Sequence, residues 1–93
     1  MIHYLKGTLQ EKEGNLFVVE IGGISFAVKS SVNVVNKLPQ VGQPVNVFTY
    51  LHVREDALEL YGFLNKEELG FFQMLIGISG IGPKSALGIL GIE

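Results

Sequence analysis

Leu16-Phe17-Val18-Val19-Glu20-Ile21-Gly22-Gly23-Ile24-Ser25-Phe26-Ala27-Val28-Lys29 reads as two strands folded back on one another. In the first half Phe17, Val19 and Ile21 share one face and Glu20 takes the other, the period-two pattern of a half-buried strand. The second half alternates as cleanly, with Ile24, Phe26 and Val28 inward and Ser25, Ala27 and Lys29 outward. Between them Gly22-Gly23 supplies two residues free to adopt positive φ, which the tight primed turns of a hairpin require. The chain is therefore expected to be mainly β over this region.

Outward from this hairpin, the remaining segments fall into a recognisable order. Met1 to Leu9 reads as a strand of mixed character with a bend at Gly7, and Gln10 to Asn15 as a polar turn. Ser31 to Leu38 has the length of a short helix, capped by Ser30 or Ser31. Pro39, Gly42 and Pro44 break the chain before a long strand, Val45 to Val53, and a last strand runs from Ala57 to Phe63. Five short strands with a small helix between the third and fourth is the order of an OB (oligonucleotide/oligosaccharide-binding) barrel, here residues 1–63. In the fourth strand Val45, Val47, Leu51 and Val53 line one side while Phe48 and Tyr50 occupy the other. A barrel strand normally wets one face, so the second apolar face needs cover, from the helices that follow or from another copy of the chain; self-association is the expectation.

From Asn65 the period becomes helical. Asn65 suits the N-cap, Glu68 completes a capping box, and Leu64 with Leu69 is placed to form a hydrophobic staple. Leu69, Phe71, Phe72, Met74, Leu75 and Ile76 surround most of this helix, which predicts burial on most sides. After it comes Ile78-Ser79-Gly80-Ile81-Gly82-Pro83-Lys84, then Ala86 and Leu90. Gly80 can take positive φ, Gly82 lets backbone N–H groups approach a phosphate, and Pro83 opens a second helix. Lys84 adds a mobile charge, Ala86 lets the helices approach, and Leu75, Ile78, Ile81 and Leu90 form the seam. The segment resembles the helix-hairpin-helix motif of DNA-binding proteins. The second helix has about two turns before the end at Glu93, too little to bury Leu87, Ile89, Leu90 and Ile92 unaided. Residues 64–93 therefore read as a second domain cut off inside its first hairpin.

Bulk properties narrow the functional classes. Ninety-three residues with 47% apolar content support a small core, and the absence of cysteine excludes disulfides and thiolate metal sites. No stretch approaches the length of a membrane span, and the N-terminus reads as a strand rather than a leader, so a cytoplasmic location is expected. Seven Lys and Arg against nine Asp and Glu give a net charge of −2. Whole-chain attraction to DNA is thus weak, and binding must come from local geometry, from several copies, or from parts outside this chain. No phosphate-binding loop for a nucleotide, nucleophile–base pair or acid–base constellation is present, so no enzyme and no cofactor are expected.

Met1-Ile2, Leu5-Lys6-Gly7-Thr8, Gly22-Gly23-Ile24, Leu38-Pro39, Val53-Arg54-Glu55-Asp56-Ala57, Leu60-Tyr61-Gly62-Phe63 and Ser79-Gly80-Ile81-Gly82-Pro83-Lys84 together resemble the bacterial RuvA family. The resemblance implies an OB first domain, a second domain with two helix-hairpin-helix motifs and a third that docks on the RuvB ATPase. This chain matches the first domain and the first hairpin of the second; the motor-docking domain has no counterpart. It further implies a homotetramer or octamer that holds four-way (Holliday) junction DNA during recombination, repair and the SOS response, with RuvC resolvase as another partner. Catalysis would reside in RuvB. Glu55 and Asp56 correspond to the acidic pin near the junction centre, where their charge repels phosphates, while Gly80, Gly82 and Lys84 bind phosphates outside it.

Other readings of the same residues exist. From position alone, Glu55-Asp56 is equally a solvated acidic turn at a hairpin tip. Adjacent strand residues point to opposite faces, which makes them and His52 poor candidates for a metal. A glycosylase would need a flipped-base pocket with a catalytic carboxylate or lysine beyond the hairpin. Tyr4, Phe48, Tyr50, Tyr61 and Phe63 would serve a generic single-strand-binding OB module as a stacking platform, or serve the core and subunit contacts. A purely structural oligomerisation domain is the remaining class.

Overall fold

The computed structural model describes Met1 to Gly91, so Ile92 and Glu93, including the expectation for Ile92, lie outside the described residues. Strands β1 (Tyr4–Glu13), β2 (Leu16–Ile21), β3 (Ile24–Lys29), β4 (Pro44–Val53) and β5 (Leu58–Phe63) close into a barrel in the order β1-β2-β3-β5-β4. All neighbours are antiparallel except β3 and β5, which run parallel through Val28↔Leu60 and Lys29↔Tyr61. Helix α1 (Val32–Asn36) bridges β3 and β4, and α2 (Lys66–Ile76) and α3 (Pro83–Leu90) follow the barrel. This is the OB-type architecture with C-terminal helices.

Local chemistry explains the elements. Gly22 and Gly23 have φ of 57° and 90°, so the β2–β3 turn is the primed type expected. Ser31 caps α1, its Oγ accepting from the Val34 amide at 3.2 Å, while Ser30 turns inward and donates to the Gly62 carbonyl at 2.5 Å. The β1 segment departs from its expected form. Gln10 to Glu13 continue the strand, the turn falls at Gly14, and the pairing with β2 slips once between Leu9 and Glu11. Such a bulge bends a long strand so that one end can pair with β4 and the other with β2. Gly7 marks a close approach rather than a turn, because a Cβ there would run into the Glu20 carbonyl and the Ile21 side chain.

Leu5, Leu9, Phe17, Val19, Val28, Val45 and Val47 fill the barrel. The β4 alternation holds, but burial declines toward its far end. Thr49, fully buried, takes a core position and donates through Oγ1 to the Ile2 carbonyl, whereas Val53 is 65% exposed. Beyond the barrel rim the β4–β5 hairpin extends into solvent, taking Val53 and Leu58 with it. Ile24, also expected inside, is exposed at the mouth of its turn.

A second cluster, Tyr61, Phe63, Phe72 and Ala86, joins the helices to the outside of β4 and β5. The Phe72 ring lies 4.9 Å from Phe63, 5.4 Å from Tyr61 and 5.7 Å from Tyr50 between centroids. The chain's own helices thus cover the Tyr50 part of the second apolar face, while Phe48 packs on Tyr4 at 5.0 Å. Helix α2 is not enclosed: Phe72 is its single buried residue, and Phe71 and Met74 are exposed. Of the two residues expected to form a staple, Leu64 packs against the barrel core and Leu69 against the helical cluster.

Candidate nucleic-acid interface

Two features expected to meet DNA lie at the ends of one surface. The first is the tip of the β4–β5 hairpin. His52↔Glu59 and Val53↔Leu58 are the last paired rungs, and the Arg54 amide donates to the Ala57 carbonyl at 2.9 Å to close the turn. Glu55 and Asp56 stand outside that closure, both exposed. Asp56 has a distant ion-pair contact, 3.9 Å from Arg54 Nε, with 83% of its side chain in solvent. Two carboxylates held this way form a negative point at the tip of a two-stranded arm.

The second feature is the α2–α3 hairpin. Asn65 caps α2, its side-chain oxygen accepting from the Glu68 amide at 2.8 Å. Glu68 reaches back to the Leu64 amide at 3.3 Å, one residue before the position of a regular capping box. Gly77 ends the helix in right-handed geometry, and the reversal comes at Gly80, whose φ of +90° a side chain would strain. Gly82 is the N-cap of α3 with extended backbone, Pro83 occupies the first turn, and Ala86, fully buried, lets α3 sit close to α2. No side chain caps α3 among the described residues. Nothing lies within 4 Å of where a Cβ at Gly80 or Gly82 would project, so both glycines face open space. The first-turn amides, the positive end of α3 and Lys84 come together at one corner, an arrangement chemically able to accept an anion. Leu75, Ile81 and Leu90 pack in the seam as expected, but Ile78 is 52% exposed.

Lys84 and Pro83 line a cleft with Lys29, His52, Arg54, Glu59 and Tyr61. It runs from the corner of α3 to the base of the acidic hairpin. At its floor Glu59 accepts from Lys29 Nζ at 2.5 Å and from the Tyr61 hydroxyl at 3.2 Å, with Arg54 Nε 3.9 Å away. The Lys29 hydrogen bond, aided by Tyr61 and the nearby cations, holds the Glu59 carboxyl below its ordinary value of 4.5 against the opposing effect of burial. Burial and the Glu59 charge push the Tyr61 hydroxyl up. Sequence reasoning placed Lys29 outward and left Glu59 unremarked. Their meeting depends on parallel β3–β5 pairing across thirty residues, for which no local signal exists.

The stacking-platform residues share one face, with Tyr4 opposite Phe48, Phe48 opposite Phe63 and Tyr50 opposite Tyr61, but most of it is covered. Tyr61 and Phe63 are buried under Phe72, leaving Tyr4 exposed at the other end. Among the described residues no group of three or more His, Cys, Asp or Glu side chains gathers to hold a metal, and no helix is long and apolar enough to cross a membrane.

A closed five-stranded OB-type barrel followed by a glycine hairpin between two helices defines the architectural class of this chain. Residues 1–62 match the family model described as RuvA N terminal domain, and the chain belongs to that family. It is 48% identical over 90 residues to a protein of Chloroherpeton thalassium named Holliday junction branch migration complex subunit RuvA. Proteins of that name from Acetivibrio thermocellus and Marinomonas sp. are 42% and 46% identical over the same length. Each alignment covers 97% of this chain and 45% of the relative, so the chain spans a little under half the length of these proteins.

Proposed function

We propose that this chain is the junction-centre portion of a RuvA-type subunit that binds four-way DNA by shape and supports branch migration by a partner motor. The observation that carries this reading is the single cleft linking the acidic hairpin, through Arg54, to Lys84 at the start of α3. Three of the chain's seven basic side chains line it, which offsets locally the −2 net charge of the whole. Gly80, Gly82 and Lys84 hold sugar-phosphate backbone, and Glu55 and Asp56 repel it at the crossover. Two unit charges about 7 Å apart interact by only ~0.6 kcal/mol in water. The repulsion gains weight when four copies bring their acidic pairs together, so a homotetramer, or an octamer of two such rings, is part of the proposal.

None of these groups reads a base, so recognition follows geometry rather than sequence and lets DNA slide. In this reading residues 1–63 form the first domain and residues 64–93 begin the second. The subunit is non-catalytic and cytoplasmic; ATP hydrolysis belongs to a RuvB-type ATPase docked through another domain, and a RuvC-type resolvase acts on the same junction. Competition binding with the full-length protein tests the reading. Four-way junctions should displace bound DNA far better than linear duplex or single strands of the same sequence. Preference for linear single strands would mark a generic OB module instead, and absence of salt-dependent binding a purely structural oligomerisation domain.

A further inference from the structure

The cleft between the barrel and α3, about 340 Å³, holds an ion-pair arrangement that the phosphate corner does not explain. Glu59, with 16% of its side chain exposed, lies at the floor; Lys29 and Arg54 stand above it with about half of each side chain in solvent. Arg54 is shared between Glu59 and Asp56, each at 3.9 Å. Lys29 has Glu59 as its sole ion-pair partner among the described residues. With Lys84 on the opposite rim, three cations face a single internal carboxylate. That carboxylate presents to Lys29 the same chemistry as a phosphodiester oxygen: an anionic acceptor at hydrogen-bond distance.

We infer, on the junction-binding reading above, that Glu59 is a positioning residue, an internal counter-anion that holds Lys29 in the cleft until a DNA backbone phosphate takes its place. Such an exchange is energetically accessible. Lys29 keeps about half of its side chain in solvent and can swing to an incoming anion, and a phosphate brings counterion release that grows as salt falls. Lys29 is the side chain that changes partner, because Glu59 is its one carboxylate among the described residues, whereas Arg54 is shared between Glu59 and Asp56. The exchange adds one phosphate contact on the barrel itself, between Lys84 and the acidic hairpin. Glu59 also keeps the cleft from acting as an indiscriminate cationic patch when no DNA is present.

Affinities of the full-length protein for a four-way junction and for linear duplex, measured across a salt series, test this in wild type, Glu59→Gln, Lys29→Ala and the double variant. Glu59→Gln should tighten binding up to about fivefold at low salt, the equivalent of one released surface pair. Lys29→Ala should reduce the magnitude of the salt slope by about one. In the Lys29→Ala background, Glu59→Gln should have no further effect. Persistence of the tightening in that background would reveal a general charge effect and overturn the exchange, as would weaker binding by Glu59→Gln with an unchanged melting temperature. The junction reading fails separately: equal affinity for branched and linear DNA would refute it while leaving the Lys29-dependent pattern intact on both.

Discussion

The ring of Phe72 in α2 lies 4.9 Å from that of Phe63 in β5, and this contact orients the α2–α3 hairpin relative to the acidic hairpin. Phe63 belongs to the strand that forms one side of the hairpin, and Phe72 to the helix against which α3 packs. Truncating Phe72 therefore acts on both stability and geometry. Phe72→Ala should cost about 3–5 kcal/mol in chemical denaturation. It should also expose the α2–α3 segment to proteolysis before the barrel; simultaneous loss of both would show that the helices do not form a separable layer.

Gly80 at φ +90° is the second geometric control. Any L-residue there is strained, so Gly80→Ala should destabilise the hairpin by about 1–2 kcal/mol. Because the position opens onto solvent, the loss is conformational rather than a clash. DNA binding by the full-length protein should weaken, whereas barrel melting measured by far-ultraviolet circular dichroism should barely move. Undiminished DNA binding would separate the Gly80 turn from phosphate recognition.

Lys84 tests sequence independence. In the full-length protein Lys84→Ala should weaken binding equally on junctions of different sequence and reduce the magnitude of the salt slope by about one. An unchanged slope would remove Lys84 from the phosphate contacts.

The acidic pair should act in the opposite sense. Glu55→Gln with Asp56→Asn removes repulsion while preserving size, so junction affinity should hold or rise, and branch migration by the assembled complex should change. Both side chains are exposed, and stability should shift by less than about 0.5 kcal/mol. Loss of junction binding in this variant would contradict a repulsive role.

Acid titration isolates Glu59. Lys29, Tyr61 and Arg54 hold its folded-state carboxyl below 4.5, so its contribution to stability is present above that value and is lost as pH falls through the lower folded value. The wild-type melting temperature should fall more steeply below about pH 4.5 than that of Glu59→Gln, while the two curves run parallel above it. Parallel curves throughout would mean that the Lys29–Glu59 pair contributes nothing to folding.

Much of this molecule was legible along the chain because its determinants are local. Alternation from Phe17 to Val28, two glycines between strands, the Ser31 and Asn65 caps and Pro83 after Gly82 each act within a few residues, and each produced the expected element. The acidic tip and the glycine hairpin were legible for the same reason. Errors arose where distant segments decide. Gln10 to Glu13 look like a turn in isolation but form strand because β2 offers a ladder. Helix α2 is apolar on several sides, yet the face that is buried depends on where Tyr61 and Phe63 present theirs. Residue identity and short-range backbone preference thus determined the elements, their order and the chemistry available at each tip. Only barrel closure, by running β3 parallel to β5 and docking Phe72 on the outer sheet, decided that Lys29, Arg54, Glu59 and Lys84 share one cleft. Such proximity is bought by burying apolar surface elsewhere, and no pattern within the charged residues themselves encodes it.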